Sequence, residues 1–86
     1  MTLEGRLLSG NKLLQIHEIK YENPEASFVK ELDEALVELC RQMDIPMPVW
    51  MKQNTREFAA FHQTIFFDEQ FLEKVRFDKF QIKMIR

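Results

Sequence analysis

Leu3, Gly5 and Leu7 alternate with Thr2, Glu4 and Arg6 at the start of the chain, the period of two that a strand with one buried face requires. Ser9-Gly10-Asn11-Lys12 follows, and both Gly10 and Asn11 tolerate the positive φ of a tight hairpin turn. With those two residues as the loop, Leu7 pairs with Leu14, Gly5 with Ile16 and Glu4 with His17. One face then carries Leu3, Leu7, Leu14 and Ile16, and the other carries Glu4, Arg6, Gln15 and His17. The alternation slips after Ile16, because the next apolar positions are Ile19 and Tyr21. A bulge near His17-Glu18 returns them to one face. The pattern predicts a hairpin over residues 2–21.

The period then changes to that of a helix over about residues 24–43. Asn23 is placed to cap it, Pro24 suits the first helical position, and Glu25 complements the positive end of the helix dipole. Phe28, Leu32, Ala35, Leu36, Leu39 and Met43 form the inner stripe, which Val29 and Cys40 widen. Ile45-Pro46-Met47-Pro48 ends the helix, since each proline pushes the preceding residue out of helical space.

A second helical region is predicted over about residues 50–72. Asn54 and Glu57 have the spacing of a capping box, and Phe58, Phe61 and Ile65 make an inner stripe. Asp68 caps a short further turn through Leu72. Phe66 and Phe67 are adjacent, so on one regular helix both cannot face inward. Alternation returns over residues 75–85, with a phase slip at Asp78-Lys79 that reads either as a bulge or as a tight turn.

These elements define one α+β domain over residues 1–86. Its expected architecture is a three-stranded antiparallel sheet in the order β-β-α-α-β, with the helices packed on one face. Such a sheet has two edges. The C-terminal strand, with Lys79, Lys83 and Arg86 at outward positions, reads either as a charge-protected edge or as a place to pair with a second copy.

Composition supports a packed core: 45% of residues are hydrophobic and eight are Phe, far too many for a disordered chain. No apolar run reaches the length of a membrane span, the N-terminus lacks the basic start and apolar stretch of a signal peptide, and Cys40 is the single cysteine. The expected compartment is therefore cytoplasmic. The net charge of −2 disfavours a general binder of polyanions. Charge is uneven, however: residues 22–44 carry seven acidic and two basic side chains, a local balance of −5.

No catalytic motif stands out. The only glycines, Gly5 and Gly10, fall in a strand and a turn, so there is no phosphate-binding loop. His17, Cys40 and His62 lie on separate elements with no metal-ligand spacing, and Cys40 on an apolar stripe reads as a buried thiol rather than a nucleophile. No cofactor and no metal are expected. Function is best sought between Pro46 and Thr64, where Trp50, Lys52, Asn54, Thr55, Arg56 and His62 crowd around a helix start. Free N–H groups with Lys52 and Arg56 suit an anion, and Trp50 suits a base or a partner's pocket. The plainer reading makes Asn54 or Thr55 a cap and Trp50 a lid on the core.

The run Trp50-Met51-Lys52-Gln53-Asn54-Thr55-Arg56-Glu57-Phe58, with Phe61, Thr64, Phe66, Gln70-Phe71 and Phe77-Asp78, resembles a family of small uncharacterised bacterial proteins, mainly clostridial. The resemblance implies a bacterial source and carries no function to transfer. The surplus of Phe, the open sheet and the lack of a catalytic set together suggest a non-enzymatic interaction module, either self-associating as a homodimer or binding a protein partner. A weak nucleic-acid binder using Trp50, Lys52 and Arg56 is the alternative, and a small ligand-binding domain or enzyme using His62 and Arg56 is the third reading.

Overall fold

A computed structural model describes residues 1–85. Its elements run β1 (Thr2–Ser9), β2 (Lys12–Lys20), α1 (Phe28–Met43), α2 (Lys52–Phe61), β3 (Gln63–Phe67), a single 3-10 turn (Asp68–Gln70) and β4 (Lys79–Met84). The class is α+β with an antiparallel sheet, but the sheet has four strands in the order β2-β1-β4-β3, where the hydrophobic pattern predicts three. Both helices cover the face that carries Leu3, Gly5, Leu7, Phe66, Phe80 and Ile82.

The hairpin forms with Gly10-Asn11 as its loop and Gly10 at φ 61°. Its register departs from the prediction. After Leu8 pairs with Leu13 the ladder skips Leu14, so Leu7 faces Gln15, Gly5 faces His17 and Leu3 faces Ile19. The bulge therefore sits at Leu14 and not at His17-Glu18, so the residues between the two positions change face while Ile19 keeps the core side expected of it. Leu14 and Ile16 are exposed, Ile19 is in the core as expected, and His17 comes under α1, where its ring meets the Gln42 carboxamide at 2.7 Å.

Helix α1 begins later than expected. Asn23 does not cap it: Asn23 to Ala26 form a turn, and the Asn23 amide donates to Glu34 at 2.8 Å. Ser27 is the cap, its hydroxyl accepting the Lys30 N–H at 3.2 Å, and Asp44 in the left-handed conformation closes the other end. Leu32, Ala35, Leu36, Leu39, Cys40 and Met43 are buried as their spacing requires, whereas Phe28 and Val29 are not.

The largest correction lies in residues 50–72, which are not one helical region. Helix α2 stops at Phe61, because His62 takes a left-handed φ of 58° and its N–H caps Phe58. The chain then turns into β3, which pairs with β4 through Thr64–Ile82 and Phe66–Phe80. Strand alternation separates the two adjacent phenylalanines: Phe66 is fully buried and Phe67 is exposed. Phe61 and Ile65, assigned to the inner stripe, are respectively exposed on α2 and placed on the open face of the sheet.

Asp78-Lys79 is neither a bulge nor a turn. Asp78 is the last residue before β4, held by its N–H to the Leu8 carbonyl at 3.0 Å and by Oδ2, which accepts the Gly10 N–H at 2.8 Å. Strand β4 is interior, so it is not the expected charge-protected edge; Lys79 and Lys83 lie on the open face of the sheet, and Arg86 lies outside the described residues.

Candidate functional site

Helix α1 rests on β1 and β2 while α2 rests on β3, so the two helices stand apart on the same face of the sheet. The space between them is a half-open groove of about 640 Å³. One wall is the first half of α1, with Phe28, Val29, Leu32 and Leu36; the other is α2, with Phe58 and Ala59. Met47, Pro48 and Trp50 of the connecting segment and Met84 of β4 complete the lining. Three polar side chains reach this apolar surface: Asp33, Thr55 and His62.

Trp50 is half-buried and positioned by two ring contacts and one hydrogen bond. Its ring meets Phe58 and Phe66 edge-on at centroid distances of 6.0 and 5.5 Å, and its indole N–H donates to the Thr55 hydroxyl at 2.8 Å. The segment that carries it is tied down beneath. Gln70 donates to the Val49 carbonyl at 3.1 Å and to Asn54 Oδ1 at 3.0 Å, while the Val49 N–H donates to the Gln70 carbonyl at 2.7 Å. Asn54 is buried at the third position of α2, not at its cap. Its Oδ1 accepts the Met51 N–H at 2.9 Å, and its amide donates to Thr64 at 2.8 Å and to the Ile65 carbonyl at 3.1 Å. Met51 takes the cap position, so Asn54 is not the first residue of the predicted box.

Glu57 likewise does not close a box. Its carboxylate accepts the Thr64 hydroxyl at 2.6 Å and the Gln53 amide at 2.9 Å. Those bonds, the Thr64 one first, hold it below the usual carboxylate range against a smaller opposing effect of burial.

The six residues singled out from sequence thus divide three ways. Trp50, Thr55 and His62 line the groove, Asn54 is an internal strut, and the exposed Lys52 and Arg56 are absent from the groove lining. What sequence reasoning missed is the α1 wall: Phe28 and Val29 were assigned to the core because they continue the helical stripe. The helix starts only after the Ser27 cap, so both stand in its first turn, where they are exposed.

Among the described residues no group of three or more His, Cys, Asp or Glu side chains is arranged to hold a metal ion, and no helix is long and apolar enough to cross a membrane. Cys40 is buried in the core, and burial pushes its thiol up to about 12, far from the range of an activated nucleophile. Comparison with protein-family models, curated proteins and solved structures finds no match to this chain.

Proposed function

We propose that this chain is a non-enzymatic interaction module whose α1–α2 groove receives an amphipathic, basic segment of a protein partner. The observation that carries this reading is the exposure of large apolar side chains along the groove: Val29 is 75%, Phe28 52% and Met47 37% exposed. A water-facing apolar rim of this kind is costly unless something covers it. The groove is half-open and its exposed apolar side chains come from α1 and from the connecting segment, so a polypeptide laying successive apolar side chains across it covers more of the rim than a compact ligand does. Met47 and Met84 are adaptable side chains suited to such a surface. Charge favours a basic partner, since Asp33 lies in the lining and residues 22–44 carry a balance of −5.

The polar groups of the groove give little support to an enzyme. The Thr55 hydroxyl is already engaged by Trp50, and His62 makes no side-chain hydrogen bond to a carboxylate among the described residues. A nucleic-acid reading is also weakly supported. The Trp50 ring packs on Phe58 and Phe66 instead of standing free, and Lys52 and Arg56 are absent from the groove it lines.

Trp50 is the sole tryptophan and reports on the groove directly. Titration of a helical Leu/Lys peptide is expected to change its emission saturably, with a Leu/Glu peptide of equal length binding at least about tenfold more weakly. Val29→Glu is expected to abolish the response while leaving the circular dichroism spectrum unchanged. Equal binding of both peptides, or binding that Val29→Glu leaves intact, would remove the reading; saturable binding of a small apolar dye without either peptide would favour a ligand site.

A further inference from the structure

The helices cover one face of the sheet and leave the other without cover. The register sets the side chains of that open face in rows across the strands. One row runs Leu13, Leu8, Lys79, Phe67, and the next runs Ile16, Arg6, Gln81, Ile65. Two apolar flanks therefore stand on either side of a polar centre that holds two cations. Leu13, Ile16 and Phe67 are exposed, and Leu8 and Ile65 are half-buried. A solvated sheet face is expected to be polar, and five large apolar side chains on one are unexplained by strand alternation.

The cations of the centre retain capacity to pair. Lys79 makes no ion pair among the described residues. Arg6 donates to Glu4 from Nε at 2.9 Å, while its terminal nitrogens have no partner among the described residues. Over the whole open face, Arg6, Lys20, Lys79 and Lys83 stand against Glu4 and Glu18, a balance of +2 where the chain carries −2.

We infer that this face binds an acidic amphipathic segment of a protein partner, with apolar side chains on the two flanks and carboxylates over Arg6 and Lys79. Charge chooses the occupant. A second copy packed face to face would bring two sets of Arg6 and Lys79 together. A nucleic acid or an anionic membrane would meet Glu4 and Glu18, which oppose each other in the following row. A polypeptide can set its acids over the cations and keep them clear of those carboxylates. The face shares no residue with the α1–α2 groove, so the inference does not rest on the reading of that groove.

The test is fluorescence anisotropy of a labelled helical Leu/Glu peptide titrated with the full chain. Saturable binding is expected, weakening as salt rises from about 0.1 to 1 M. Trp50 emission is expected to stay unchanged, because that ring packs on Phe66 on the other side of the sheet. Lys79→Glu, and Ile16→Glu as a second variant, are each expected to weaken binding at least about tenfold with the circular dichroism spectrum unchanged. Val29→Glu in the groove is expected to leave it intact. Absence of binding at low salt would overturn the inference, as would binding that survives both variants or that Val29→Glu abolishes. So would equally strong binding of an oligo(dT) strand or of phosphatidylserine vesicles that the same two variants remove.

Discussion

The Asn54 amide donates to the Thr64 hydroxyl at 2.8 Å, and both side chains are almost wholly removed from solvent. With the bond from the same amide to the Ile65 carbonyl, it joins the first turn of α2 to β3. Asn54 also accepts from the Met51 N–H and from Gln70, so four polar groups depend on one side chain. Replacing it by an apolar residue of similar volume leaves those groups without partners. Asn54→Leu is expected to cost about 3 kcal/mol, the scale of a buried donor or acceptor set left unpaired. Urea unfolding checks it, and a loss below about 1 kcal/mol would show the network to be replaceable.

Gly5 lies where α1 comes down on the sheet. A Cβ there would stand 2.8 Å from Met43 Sδ and 3.0 Å from both Leu39 and Phe80. The space is filled, so this glycine is required by close approach and not by backbone conformation. Gly5→Ala is expected to destabilise by about 1–3 kcal/mol, as overpacking in a dense core does. Met43→Leu in the same background distinguishes the contacts: the branched side chain is expected to restore none of the loss, and Met43→Ala to restore part of it.

Cys40 is 2% exposed and its thiol is pushed up to about 12 by burial. It is expected to resist a thiol reagent at neutral pH in the native protein and to react only as fast as the chain opens. Reactivity comparable to that of a free thiol without denaturant would place it outside the core.

Three carboxylates are held below their ordinary range. Arg41, then Gln42, hold Glu38 down to about 2 from the ordinary 4.5; Asn23 and Tyr21 lower Glu34; Thr64 and Gln53 lower Glu57. A carboxylate whose folded pKa lies below its unfolded one stabilises the fold fully above the unfolded value, and that contribution is lost as pH falls through the folded value. Stability is therefore expected to be flat from about pH 7 to 5 and to fall on further acidification, reaching toward pH 2 through Glu38. Urea midpoints measured against pH check the slope, and Glu57→Gln is expected to flatten it while lowering stability at neutral pH. A midpoint unchanged between about pH 5 and 3 would contradict these assignments.

Local pattern was sufficient for the hairpin loop at Gly10-Asn11, for the buried stripe from Leu32 to Met43, and for the end of α1 before Pro46, because each rests on near neighbours in sequence. In the candidate site, the sequence drew attention to Trp50, Thr55 and His62 by their crowding at a helix start. It gave no means to see that Asn54 points inward or that Lys52 and Arg56 stand aside. Which side of a helix is buried is set by what packs against it, and the partners that draw Asn54 inward, Thr64, Ile65 and Gln70, all lie outside α2.

The chain's own residues settled that there would be an α+β fold with one apolar core, since periods of two and of 3.6 cannot be exchanged without exposing it. The tertiary structure decided the rest. Strand β3 is five residues long and follows α2 directly, and its Ile65 and Phe66 extend the helical spacing of Phe58 and Phe61; only pairing with β4 makes it a strand. His62 turns the chain in a left-handed conformation without a glycine to announce it. The hairpin register was likewise chosen from outside the hairpin. Two alternations fit the sequence, and the one that forms turns Gln15 and His17 instead of Leu14 and Ile16 to the side of α1, where His17 meets Gln42.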